Sequence, residues 1–133
     1  MTQKLQYRVL YNFDCGDLFH TSEPLTPAHV ERMVDEVALG ADVILINPNA
    51  QVVNYPSKVW QTSWDGYRQG DRDFFGSIPD GMLPAREHTV SQMAGLAEQC
   101  DYLATALTHA KQRGITPGIS MRMNDMHDIP WPD

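Results

Sequence analysis

The run VILI, Val43 to Ile46, restricts the fold more than any other stretch of the chain. Every position is apolar, so a strand built from it has two faces to bury, as happens in a parallel sheet covered by helices. What precedes it fits. Thr26-Pro27 supplies an N-cap and a proline at the first helical position. Val30, Met33, Val34 and Val37 then repeat at helical spacing, and Gly40 closes the helix just ahead of the strand. Upstream, LQYRVLYNF is rich in aromatic and β-branched residues and reads as a first strand. The three segments make one βαβ unit.

A second unit follows after a delay. From 47 to about 86 the chain carries Pro, Gly, Asp and aromatic residues with no sustained period, and loops this long inside a compact domain are usually functional. Met93, Leu96, Ala97, Cys100, Leu103, Ala104, Leu107 and Ala110 then mark the stripe of one long helix. Gly95 within it costs roughly 1 kcal/mol against alanine. Arg113-Gly114 ends that helix, and ITPGISMRM forms the third strand. The expected fold class is α/β, a parallel β-α-β-α-β unit in a single domain over 1–133, with strands in the order 1-2-3 and both crossover helices on one face.

Composition narrows the function classes. Of 133 residues, 42% are hydrophobic and 20% charged, as in a globular chain. The net charge of −7 argues against a nucleic-acid partner, which needs a basic stripe to release counterions. No apolar run approaches the roughly 20 residues that span a bilayer, so no membrane association is expected. The N-terminal stretch lacks an apolar signal core and a cleavage site. Cys15 and Cys100 stand in no metal-ligand spacing and read as free thiols, which suits a cytoplasmic setting. Phosphate-binding glycine loops are absent, so no cofactor is expected, and neither is a serine-esterase elbow present.

The connections are unequal. The helix-to-strand turns, LGAD and QRGITPG, are short, whereas the strand-to-helix connections are long and hold most of the unusual polar residues. In parallel α/β folds, sites gather at the carboxyl ends of the strands. Asp14, Asp17 and His20 follow strand one, Asn47 and Asn49 follow strand two, and Arg122, Asn124, Asp125, His127 and Asp128 belong to strand three and its tip. All three groups are expected on one face.

With short bottom turns and a polar top face, YNFDCGD, the Trp-rich loop and HAKQRGITPGISMRMNDMHD together resemble glycoside-hydrolase-like (β/α)8 TIM-barrel proteins, over their first three βα units. The resemblance implies a partial barrel, since a complete one needs roughly 250 residues. It also implies that the catalytic carboxylates follow later strands, commonly the fourth and seventh, so this chain lacks the full pair and its catalytic residues stay unassigned. The implied partner is a carbohydrate or another polar small molecule. Two open sheet edges and an uncovered inner face further imply self-association, as a homo-oligomer, or the remainder of a larger chain.

Several candidates carry more than one reading. Asp125, His127 and Asp128 could hold a sugar hydroxyl, cap the next helix or ligate a metal; with no second His or Cys set at a helpful spacing, no metal is assigned. Arg122 either points inward to hold a carboxylate or lies exposed. Asp14 and Asp17 could form an acid–base pair, although Asp and Gly are default turn residues. His20 is ambiguous in the same way. Trp60, Trp64 and Asp65 sit in an aromatic loop, where rings stack on sugar faces or pin the loop to its scaffold. The substrate-binding set is Asp14, Asp17, His20, Asn47, Trp60, Trp64, Asp65, Arg122, Asn124, Asp125 and His127. The alternatives are a non-enzymatic carbohydrate-binding or self-assembling half-barrel and a metal-dependent hydrolase.

Overall fold

A computed structural model describes residues 9–14, 16–50 and 52–123. Three strands, β1 (Leu10–Phe13), β2 (Val43–Ile46) and β5 (Thr116–Ile119), form a parallel sheet in the order β1-β2-β5. The chain is therefore a mixed α/β fold, and the expected 1-2-3 strand order is present. In register, Phe13 stands opposite Ile46 and Ile46 opposite Ile119. Residues paired in this way point to the same side of a sheet, so Tyr11, Phe13, Ile44 and Ile46 share one face.

That face carries the core. Helices α2 (Pro27–Ala38) and α4 (Tyr102–Gln112) pack against each other over it, which puts both crossovers on the same side. Val30 and Val34 of α2, Ala106 and Ala110 of α4, and Ile44 and Ile46 of β2 are all fully buried. Burying an Ile or Val side chain contributes about 1.5–3 kcal/mol, and the small Ala106 and Ala110 let the helices approach closely. At the rim of the seam, one oxygen of Asp35 on α2 accepts from His109 Nε2 at 2.8 Å and from Arg113 Nε at 2.9 Å. A short helix, α1 (Gly16–Phe19), adds Leu18 and Phe19 to the core, the Phe19 ring meeting Tyr102 edge-on at 5.5 Å.

The second face of the sheet is thinner. Val43 is buried and Leu45 half-buried, while Leu10, Asn12 and Thr116 are exposed. Leu45 lies over Gly118, where a Cβ would come within 2.6 Å of its Cδ2. The VILI strand is thus enclosed by helices on one face and only partly covered on the other.

Both helix-to-strand turns are short. α4 ends at Gly114, whose φ of 78° is the left-handed conformation that glycine adopts without strain. Ile115 N–H then closes back onto Ala110 O at 3.1 Å. On β5, Thr116 N–H donates to Asp42 O and Ser120 N–H to Ile46 O, so the intervening Pro117 and Ile119 direct their backbones away from β2. Proline leaves that outward position without a donor.

Two expectations are corrected. The crossover after β2 is not one long helix but two, α3 (Leu83–Ala97) and α4, and Cys100 lies in the break. Asp101 makes the second start, its Oδ1 accepting from Ala104 N–H at 3.1 Å. The apolar stripe runs through unbroken because Leu96, Cys100 and Leu103 reach the same core on either side of the turn. The long segment after 47 is also more structured than its lack of period suggests. It opens with a hairpin, β3 (Asn49–Ala50) and β4 (Val52–Val53), and closes with two 3-10 turns, Asp73–Phe75 and Asp80–Met82, that lead into α3. Tyr67, Phe74 and Phe75 cluster edge-to-face within it, and Arg72 donates to Gly76 O and Ile78 O. Among the described residues, no helix is long and apolar enough to cross a membrane.

Candidate functional site

The ends of all three parallel strands open onto the same edge, and two of the distant candidates meet there. Asp14 follows β1 and Arg122 lies just beyond β5, 108 positions away, yet the guanidinium of Arg122 binds Asp14 Oδ1. The pair is open to solvent on both sides: 31% of the arginine side chain and 62% of the aspartate are exposed. Arg122 thus holds a carboxylate while staying partly exposed, so the contact combines features of its two readings.

Between them lies the end of β2, with the sequence Asn47-Pro48-Asn49. Asn47 makes the last link to β1, its N–H donating to Phe13 O at 2.9 Å. Its side chain is nearly inaccessible, at 3% exposure, and its Oδ1 receives the Asn49 N–H at 3.4 Å. Pro48, fully buried, then turns the chain into the hairpin. Asn49 is 7% exposed, and its amide makes two bonds to a single residue of the third strand's extension: Nδ2 donates to Arg122 O at 2.9 Å, and Oδ1 accepts from Arg122 N–H at 3.0 Å. Asn49 is absent from the substrate-binding set drawn from the sequence. The signal for it was the N-P-N run at a strand end, where proline forbids further ladder bonding and a neighbouring side chain must supply it.

The remaining candidates are dispersed. Asp17 is exposed in the first turn of α1, and His20, also exposed, follows that helix. Trp60 and Trp64 belong to the insertion after β4. Ser57 Oγ accepts from the N–H groups of Val59 and Trp60, a tight turn that leaves the Trp60 residue 54% exposed. Trp64 is half-buried. Asp65 is already engaged: its two oxygens take the backbone N–H of Thr62 at 2.8 Å and its hydroxyl at 2.7 Å. That is a turn-forming role. Asn124, Asp125, His127 and Asp128 lie outside the described residues. Among the described residues, no group of three or more His, Cys, Asp or Glu side chains is arranged to hold a metal ion.

A separate cavity of about 330 Å³ opens between α3 and the segment ahead of α2. Three of its polar side chains, His88, Gln92 and Gln99, hold that segment. Gln92 accepts from Leu25 N–H and donates to Thr21 O and Glu23 O, and Gln99 donates to Leu25 O. His88 Nε2 lies 2.7 Å from Thr21 O, so that nitrogen carries the proton. Every buried polar side-chain atom among the described residues has a partner.

Compared with known proteins, the chain matches no family model and no curated relative.

Proposed function

We propose that this chain forms the first three βα units of a glycoside-hydrolase-like barrel, and that the carboxyl ends of its strands bind carbohydrate. The observation that carries the reading is the meeting of Asp14 and Arg122 across the sheet, with Asn47 and Asn49 between them. A guanidinium offers only donors and a carboxylate only acceptors, whereas each sugar hydroxyl is both. Side by side, the two groups can satisfy neighbouring hydroxyls once water is displaced, which a bound sugar requires. The exposed Trp60 ring offers an apolar face of the kind that sugar rings stack on. The catalytic carboxylate pair is assigned to later strands of the same barrel, so the role proposed here is binding. A reducing, cytoplasmic setting accompanies the reading, supported by the free thiol of Cys100.

A second reading, a self-assembling half-barrel that binds carbohydrate without turnover, draws on Val9, Leu10, Tyr11 and Ile119, all apolar or aromatic and about half exposed on the two outer strands and beside them. Calorimetric titration with neutral oligosaccharides tests both. Asp14→Ala is expected to weaken binding by about 1–3 kcal/mol, with the melting temperature nearly unchanged because both partners are solvent-exposed. Absence of glycan binding by the intact protein overturns the carbohydrate reading. Binding without hydrolysis by the protein and its partner strands favours the second, and activity lost to a chelator favours a metal-dependent hydrolase.

A further inference from the structure

A parallel ladder ends where one strand turns away, and the neighbouring strand is then left with unpaired backbone groups. β2 turns away at Pro48, the residue its alternation would next offer to β5, and Pro48 O instead accepts from Asn54 N–H at 2.9 Å. The β5 extension nevertheless continues: Ser120 N–H still bonds Ile46 O, and Arg122, two residues on, faces the same side. At that point the main chain of β2 is gone, and the Asn49 side chain stands in its place. Its amide has the same donor and acceptor pair as a peptide unit, and both bond the backbone of Arg122. The contact is nearly buried, so it is shielded from competing water.

We infer that Asn49 is the positioning residue of the strand-end site: its side-chain amide extends the β2 ladder by one residue and so fixes the backbone of Arg122 where its guanidinium reaches Asp14. The inference deepens the carbohydrate reading and rests on it for the ligand. It also narrows the ligand class. Arg122 and Asp14 carry opposite charges in contact, so the unit has no net charge to offer an acidic sugar. Its adjacent donors and acceptors fit a neutral sugar with two neighbouring hydroxyls. Asn49 touches none of those hydroxyls; it acts through Arg122.

The side-chain chemistry is narrow. Aspartate keeps the acceptor for Arg122 N–H but sets a second oxygen against Arg122 O, and alanine removes both bonds. The test uses the full chain, isotope-labelled, as wild type, Asn49→Ala and Asn49→Asp. Amide exchange at Arg122 is expected to accelerate by about tenfold or more in Asn49→Ala, a local opening, while the Ile44 and Ile46 amides keep their protection. Affinity for a neutral gluco-oligosaccharide is expected to fall about tenfold, the scale of one lost polar contact, with the melting temperature lowered by only a few degrees. Asn49→Asp, which keeps the acceptor for Arg122 N–H but repels Arg122 O, should show the same two changes to a smaller degree, and it replaces Asn49→Ala if that variant fails to fold. Unchanged exchange at Arg122 overturns the clamp, and unchanged glycan affinity with an opened Arg122 amide overturns the positioning role. Tighter binding of a uronate oligosaccharide than of the neutral one overturns the ligand class. If the wild type binds no glycan, the carbohydrate reading fails by itself. The Asn49 inference is then decided by the Arg122 guanidinium resonances: Asp14→Asn must shift them in the wild type and leave them unmoved in Asn49→Ala, and an equal shift in both backgrounds overturns it.

Discussion

The α2–β2–α4 body and the insertion between β4 and α3 are built on opposite principles. In the body, Val30, Val34, Ile44, Ile46, Ala106 and Ala110 are fully buried, and cohesion comes from area removed from water. In the insertion, few residues are buried, and side chains grip backbone instead. Asp65 holds Thr62, Ser57 holds Val59 and Trp60, Glu87 accepts from Gly70 N–H, and Arg72 spans Gly76 and Ile78. A part-buried hydrogen bond joins the two, from Tyr102 OH on α4 to Asn54 Oδ1 at 2.6 Å. The difference teaches where each region is vulnerable: the body to lost volume, the insertion to a single lost polar atom.

The largest effect should come from the body. Ile44→Ala leaves a hole in the packed face of the central strand and is expected to cost about 2–5 kcal/mol, read as a lower midpoint in urea. Unchanged stability would break the comparison. Asp65→Ala should act on the other region alone. It deprives Thr62 of two bonds at about 1–2 kcal/mol, visible as faster amide exchange through 62–67 while the body keeps its protection. If the whole protein melts with it, the two regions are one cooperative unit.

The smallest effect is electrostatic. Burial, and next the nearby charge of Glu87, pushes the Tyr67 hydroxyl above its ordinary value of 10.0. The folded state therefore holds this proton when the unfolded chain has released it. The stabilisation linked to it is fully present below about pH 10 and declines as pH rises through the higher folded value. An absorbance titration should contain a late tyrosine component that Glu87→Gln brings earlier. A late tyrosine that Glu87→Gln leaves in place would assign the shift to burial alone.

Legibility followed the same division. β2 and α2 were readable because burial writes a period into the residues, VILI in one case and Val30, Met33, Val34 and Val37 in the other. The break at 98–101 was hidden by that same signal, since Leu96, Cys100 and Leu103 keep their phase across it. Asp101 was the available cue, a cap residue set inside an apolar stripe. The insertion has no period because its bonds run from single polar atoms to backbone, so Asp65 looked like a ligand group when its oxygens are occupied by Thr62. At the strand ends, the parallel order accounts for Asp14 and Arg122 sharing an edge. Their direct contact depends on the course of the chain after Pro48, which no residue pattern encodes.

Pro117 has a consequence for how this sheet can propagate. A fibre of stacked sheets grows head-to-tail, with the β1 side of each copy meeting the β5 side of the next, and such a heterologous contact never closes on itself. Every junction of that kind meets the one outward-facing residue of β5 that lacks a donor, so an acceptor there goes unmatched at each step. A two-fold contact between β1 edges avoids the defect and terminates after a single partner. One imino acid thus biases the sheet against runaway polymerisation while leaving finite assembly open.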